Sequence, residues 1–509
     1  MYPDRDFDPK RDLPPNEPDL SADLELGALL QAMAHGDDFL LTVARQGLHS
    51  GLTSPAEITY RQHVLADCIA QPGAVRDLYE LAVGAITQER HLLGWSLRDS
   101  PDSVLYRSRQ LLQAYLEVFR RLRDFADAQA TSFWSEGFTR LFAMLGEELN
   151  ADYLAEVDTE ISELEFRRGT LISARLGPGG KGAGYVLRRQ LDQGWRGRVP
   201  GLGRPGHSFY VPERDENGLR TLSYLTDQGI NTTANAVAQS ADHIKAFFEM
   251  LRAELGFYLG CLNLRDQLTA RGGTVSFPVP SGPLTDAVGR GCLSARGLCD
   301  ASLALHLRGG AVVGNDLDAD GKTLIMITGA NQGGKSTFLR SLGQAQLMMQ
   351  AGMFVAAQSF TASTSTGVFT HFKREEDAAM DKGKLDEELD RMSIIIDQIS
   401  PGALLLANES FASTNEREGS EIARQVIRAL TEDGIRIVFV THQYDLAGQL
   451  YAQHDPAMVL LRAERRDDGH RTFRLPPGEP LPTSYGQDLY RQIFRDKTGP
   501  VLAGTRADT

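Results

Sequence analysis

Residues 328 to 337 read Thr-Gly-Ala-Asn-Gln-Gly-Gly-Lys-Ser-Thr and contain the spacing G-x-x-x-x-G-K-[ST]. In that spacing the glycines let backbone N–H groups turn inward around phosphate oxygens. Gly329, Ala330, Asn331, Gln332, Gly333, Gly334, Lys335, Ser336 and Thr337 are therefore the expected nucleotide-binding positions. The Lys335 ammonium is a point charge for the β and γ phosphates, and the Ser336 hydroxyl is an oxygen donor for Mg2+. Such chemistry also needs a carboxylate for the attacking water and a group that senses the γ-phosphate. Glu409 follows the apolar run Ala403–Ala407 and fits the first role. Its neighbour Asn408 stands where aspartate more often serves the metal. An amide oxygen reaches Mg2+ through a bound water, but without the charge. His442 follows the run Arg436–Val440 and fits the second role. Lys335, Glu409 and His442 are the expected catalytic set.

Those residues need a scaffold that brings them together. Thr323–Ile327, Ala403–Ala407 and Arg436–Val440 are short apolar runs of strand type with helical stretches between them. The alternation predicts a parallel α/β domain of the P-loop NTPase class over residues 278–495, with ligands at the C-terminal ends of its strands. Met458–Leu461 and Thr472–Leu475, around Asp468-Gly469, predict a hairpin. Ahead of this domain the chain predicts a mostly α-helical one, residues 21–277. Its apolar stripes at helical spacing include Leu26, Leu29, Leu30 and Met33, then Leu112, Tyr115, Leu116, Phe119 and Leu122. A third runs from Ile244 through Phe247, Phe248, Leu251 and Leu255 to Leu259. Residues 1–20, rich in proline and acids, predict a disordered, solvated tail, and 496–509 a second tail.

The 509 residues carry 53 bases and 67 acids, a net charge of −14, which excludes a function resting on a uniformly basic surface. The charge is uneven. Residues 166–206 hold nine bases and one acid, a local +8 that leaves −22 on the rest of the chain. Ten of the thirty residues 177–206 are glycine, and Tyr185, Trp195 and Tyr210 lie in or beside this stretch. A Gly/Arg-rich insertion of this kind, about 166–210, suits phosphate-backbone contact and base stacking. Arg188, Arg189, Arg196 and Arg198 are the expected DNA contacts; the same pattern also suits a solvated linker or a patch answering acids elsewhere in the fold. The cysteines, Cys68, Cys261, Cys292 and Cys299, are too sparse for a disulfide framework and read as buried thiols. No apolar run approaches the roughly 18 residues of a bilayer span, and the first residues lack a signal-peptide pattern. The expectation is a cytoplasmic protein with no membrane partner.

In its motifs the chain resembles the MutS family, the ATPases of DNA mismatch repair and their relatives. Residues 328–337 are similar to the family's T-G-x-N-x-x-G-K-S-T, including Asn331, which generic phosphate loops do not specify. Val313-Gly314-Asn315-Asp316 resembles the short motif that precedes that loop, and residues 440–446 resemble A-T-H-x-x-x-L. A weaker likeness to the family's lever-type helical core runs through Ile58–Gln62 and Phe247–Leu264. The resemblance implies ATP and Mg2+ as cofactors. It implies a homodimer or heterodimer, a homodimer being expected here, with two composite ATP sites at the subunit interface and ATP coupled to clamp movement on DNA. It assigns phosphate and Mg2+ to Lys335 and Ser336, the water to Glu409 and γ-phosphate sensing to His442. Thr414 and Gly419 match a segment that contacts the partner subunit.

The chain also departs from the family pattern. The family's Asp-Glu is Asn408-Glu409 here, and the Gly-Arg-Gly that follows is Phe411-Ala412-Ser413. The serine-bearing loop that crosses the dimer is Asp381–Glu387, with Lys382 and Lys384 as candidate contacts in its place. The aromatic expected against adenine is Val312, and a mismatch-reading domain is expected to be absent. The expected function is an ATP-binding and hydrolysing dimer coupled to DNA in repair or recombination. The alternative is a nucleotide-gated interaction protein that hydrolyses weakly because of Asn408 and has no direct DNA role. Transporter-type ATPases are excluded by the missing Leu-Ser-Gly-Gly-Gln signature.

Overall fold

In the computed structural model, which describes residues 1–92, 100–167, 169–189, 207–284, 291–307, 311–374, 383–466 and 469–482, the apolar runs of the C-terminal half pair as one parallel sheet. Its strands are β1 (Leu324–Gly329), β2 (Val368–Phe372), β3 (Leu404–Asn408), β4 (Arg436–Val440) and β5 (Met458–Ala463). Their order is β5-β1-β4-β3-β2, and every neighbouring pair is parallel. The register sets Val440 level with both Ile327 and Asn408. The chain therefore leaves β1, β3 and β4 at one edge, the first with Gly329, the second with Glu409 and the third with His442.

Four helices flank these strands: α1 (Lys335–Gln350), α2 (Lys384–Gln398), α3 (Glu416–Glu432) and α4 (Tyr444–Tyr451). Side chains alternate faces along a strand. Leu324 and Met326, Leu405 and Ala407, and Ile437 and Phe439 share one core with Met392 of α2, Ile427 of α3 and Leu446 of α4. Burying each such large apolar side chain is worth about 1.5–3 kcal/mol. Helix α1 lies on the other face and is buried on nearly every side. Its glutamines are consequently all hydrogen-bonded: Gln344 Nε2 donates to Leu24 O, Asp300 Oδ1 and Ser302 Oγ, each at 3.0 Å. Gln350 Nε2 donates to Leu52 O and Ser365 O at 3.0 and 2.8 Å.

A second, four-stranded sheet runs Val279–Ser281, Ser359–Ser363, Leu293–Leu298, Asn315–Asp318 in spatial order. Arg436, at the start of β4, reaches toward its loops. The buried guanidinium donates to Lys322 O, Cys292 O and Gly291 O at 2.8–2.9 Å, and burial pushes its pKa down to about 10. The expected hairpin after β5 takes a modified form. Residues 460–466 exchange backbone hydrogen bonds with 470–478, yet the returning arm forms no regular strand. Asp468 lies outside the described residues.

Residues 1–20 do not form a solvated tail. Phe7 and Leu20 are buried, and Glu17–Asp23 is a helix that packs against β2. Asn16 Nδ2 donates to Val368 O at 2.7 Å, and Glu17 pairs with Arg45 at 2.5 Å. The fully buried Arg61 lies between the rings of Tyr2 and Phe257, 4.4 and 4.3 Å from their centroids. The prolines and acids suggested disorder, but their apolar and ion-pairing neighbours supply a docking surface.

The expected boundary at residue 277 also shifts. Contacts divide the chain into two units. One holds residues 1–70, 135–137 and 256–509, both sheets included; the other holds 71–134 and 138–255. Helices Leu26–Ala34, Asp38–Leu48 and Pro55–Ala70 thus belong with the sheets. Leu52 N, for example, donates to Gln350 O at 3.0 Å, and Gln62 Nε2 to Pro278 O at 2.9 Å.

The other unit is built from helices Pro72–Leu92, Pro101–Gln129, Ala151–Glu163 and the part of Glu216–Ala270 that ends at Leu255, with most of Glu136–Glu148. Ser100 caps the second of these, its hydroxyl accepting from Ser103 N, ahead of proline at the first helical position. Two of the apolar stripes meet here: the ring of Phe248 lies 5.3 Å from Phe119 and 5.7 Å from Tyr115. The basic segment begins as an antiparallel pair, Ile172–Leu176 with Gly182–Leu187.

Candidate active site

Between β1 and α1 the chain turns through Gly329 at φ +105°, Gln332 at +58° and Gly334 at +89°. Gly333 is required for a second reason: a Cβ there would lie 2.7 Å from both Ala330 O and Ala463 Cβ. The loop thus closes tightly against β5, and its shape depends on residues without side chains. Lys335, the first residue of α1, is buried, and its Nζ donates to Gly329 O and Ala330 O at 3.0 and 3.1 Å. Burial lowers the pKa of this ammonium, Glu409 opposes the shift, and Arg471 adds to it. A desolvated cation held by its own loop carbonyls is poised for a stronger, anionic acceptor.

Next in the helix, Ser336 Oγ donates to Asn408 Oδ1 at 3.0 Å, so two oxygen donors suited to a hard cation lie side by side. Glu409 is fixed by its N–H, which donates to Val440 O at 2.8 Å, and by a left-handed backbone, φ +54°. Its Oε1 is 3.6 Å from Nδ1 of His442. The imidazole holds the carboxyl below the usual carboxylate range against the opposing effect of burial. Lys335, Ser336, Glu409 and His442 face a cavity of about 670 Å3, lined by Asn331 to Phe338 and by Val312, Asn315 and Phe473. The volume lies within the range of small-ligand sites.

Residues 325–487 match the family model of MutS domain V, and residues 53–271 that of the MutS2 N-terminal domain. The chain belongs to the MutS family. It is 32% identical over 198 residues to the DNA mismatch repair protein MutS of Thermus aquaticus, covering 38% of this chain and 23% of that protein. To the protein of the same name from Chloroflexus aurantiacus it is 32% identical over 139 residues, covering 26% and 14%. With that of Thermotoga maritima it shares 33% over 135 residues, covering 26% and 17%. The matched stretch therefore spans less than a quarter of these relatives.

Within this MutS-family chain, the sequence-predicted site residues from Asn331 to Thr337, with Glu409 and His442, line one cavity. Asn408 joins them through Ser336, while Gly329 and Ala330 face Lys335. Arg188 and Arg189 lie in the other unit. Arg188 Nε donates to Ser173 Oγ at 2.9 Å, and Arg189 pairs with Glu163 at 2.5 Å. Arg196, Arg198 and Lys382 lie outside the described residues. Gly419 has an internal reason to be glycine, since a Cβ there would stand 2.3 Å from Phe411 O. Thr414 Oγ1 donates to Glu418 Oε2 at 2.8 Å.

Phe473, Asn315 and Arg471 were missed from the sequence as site residues. Phe473 borders the cavity half-exposed, at φ +59°, on the arm that returns from β5. Asn315 fixes that arm: Nδ2 donates to Phe473 O at 3.0 Å, and Oδ1 accepts from Leu475 N at 2.9 Å. Arg471 donates to Gln332 Oε1 at 3.4 Å. The Val-Gly-Asn-Asp motif pointed to Asn315 without revealing what it holds.

Proposed function

We propose that this chain binds ATP with Mg2+ in the cavity beside Lys335 and hydrolyses it, within a P-loop ATPase fold. The convergence of Lys335, Ser336 and the Glu409–His442 pair on one cavity, with Asn408 bonded to Ser336 behind them, carries this reading. Lys335 would leave its loop carbonyls for the β and γ phosphates. Ser336 and Asn408 would hold Mg2+, whose chemistry is to neutralise developing phosphate charge; Asn408 contributes an oxygen without charge and so a weaker hold. Glu409, ionised at neutral pH, accepts a hydrogen bond from the attacking water and orients it. His442 stands beside it for the γ-phosphate. Phe473 is the aromatic face for adenine in place of the position held by Val312.

The same reading includes a homodimer and DNA contact through the basic segment of the second unit, in repair or recombination, and a cytoplasmic location. Family membership and the exposed Arg188 support DNA contact; no described helix is long and apolar enough to cross a membrane. The uncharged Asn408 favours a second reading, a nucleotide-gated interaction protein that turns over slowly. The test is ATP binding and single-turnover hydrolysis by wild type, Lys335→Ala and Glu409→Gln. Lys335→Ala should lose binding, while Glu409→Gln should bind and hydrolyse on the order of 10²-fold more slowly. Binding without hydrolysis in the wild type would select the second reading.

A further inference from the structure

Glu409 and Phe411 both adopt left-handed backbone, φ +54° and +60°, a conformation that non-glycine residues hold only when their surroundings enforce it. Ser410, buried between them, has its Oγ 2.6 Å from Nδ1 of His371 and 2.9 Å from the His371 carbonyl. His371 lies on β2, in register with Ala407 of β3. Its ring is fully buried and stacks on Phe411, with centroids 5.6 Å apart and planes 28° apart.

The donors in this cluster follow from chemistry. His371 Nε2 is 3.0 Å from the carbonyl of Glu388, which only accepts, so Nε2 carries a proton. Burial pushes the ring's pKa down to about 4, so the ring is neutral and Nδ1 is bare. The one proton of the Ser410 hydroxyl is therefore shared between two acceptors, Nδ1 and the His371 carbonyl. Glu388, on α2, makes a second tie, its Oε1 accepting from Ser413 Oγ at 2.8 Å. From the opposite side, Gln443 Nε2 donates to Phe411 O at 3.2 Å.

We propose that His371, acting through Ser410, is a positioning residue for Glu409, and that Glu388 ties helix α2 into the same latch. Phe411 is fully buried and holds its left-handed backbone without glycine's freedom, so the latch enforces the loop's conformation instead. Displacement of α2 is then transmitted to the carboxylate that orients the water. The proposal rests on the assignment of that water to Glu409.

The test uses the full chain with ATP and Mg2+, comparing wild type with Ser410→Ala, His371→Leu and His371→Asn. The readouts are kcat, KM, affinity for a non-hydrolysable ATP analogue and melting temperature. Ser410→Ala and His371→Leu should lower kcat about tenfold, the loss expected for one well-placed hydrogen bond, with analogue affinity within about twofold. His371→Asn places an amide oxygen near the position of Nδ1 and should recover most of the lost rate. Wild-type kcat in Ser410→Ala overturns the proposal, even if His371→Leu fails to fold. Equal losses in His371→Leu and His371→Asn overturn the role of the Nδ1 acceptor. Separately, wild-type turnover by Glu409→Gln overturns the assignment of the water itself, whatever the His371 variants do.

Discussion

The lowered carboxyl of Glu409, held by His442, makes the site readable by pH. Because the folded carboxyl titrates below its ordinary value of 4.5, the stability contributed by its ionisation is present above that value. It is lost as pH falls through the lower, folded value. The acidic limb of kcat/KM should likewise lie below the ordinary carboxylate range. His442→Gln removes the main cause of the shift and should move that limb to higher pH, as measured in a rate profile; an unmoved limb would show that another group holds the carboxyl down. At the neighbouring position, Asn408→Asp adds the missing charge and should lower the Mg2+ concentration for half-maximal turnover several-fold. The meeting of Lys335, Glu409 and His442 at one cavity was legible because each follows an apolar run at a recognisable spacing. His371 was not, because its bond to Ser410 links residues 39 positions apart through the pairing of β2 with β3.

At the scale of elements, the register of β1, β4 and β3 does most of the positioning, and the apolar runs gave those strands to within a few residues. The arm that returns from β5 was harder to read. It is held by one side chain, Asn315, rather than by a regular ladder, and no local pattern announces such a clamp. Asn315→Ala leaves Phe473 O and Leu475 N without these partners and should cost about 1–3 kcal/mol of stability, seen as a lower melting temperature with a raised KM for ATP. Phe473→Ala tests the arm's cargo more directly. It should weaken ATP binding by about tenfold, the scale of one base–aromatic stack, while leaving affinity for inorganic triphosphate unchanged. Equal weakening of both ligands would remove Phe473 from the base.

For the whole molecule, the charge map was legible in part. Residues 166–206 concentrate positive charge, but folding answers some of it: Arg189 pairs with Glu163, and Arg167 with Glu165. Neutralising Arg188, Arg189, Arg196 and Arg198 together should reduce the salt dependence of DNA binding by about one unit of slope per lost phosphate contact. Glu163→Gln frees Arg189 and should tighten binding at low salt; both effects are read from one salt titration. The division into two units was not legible, because it depends on where helices dock and not on their periodicity. The same holds for residues 1–23, whose helix lies along β2, the last strand on its side of the parallel sheet. On the far side, residues 470–478 lie along β5. A sheet with a bare margin is a template on which further copies can grow. Both margins are sheathed here by segments of the same chain, so a chain lacking residues 1–23 should scatter light and bind amyloid dyes on mild heating, while the intact chain remains clear.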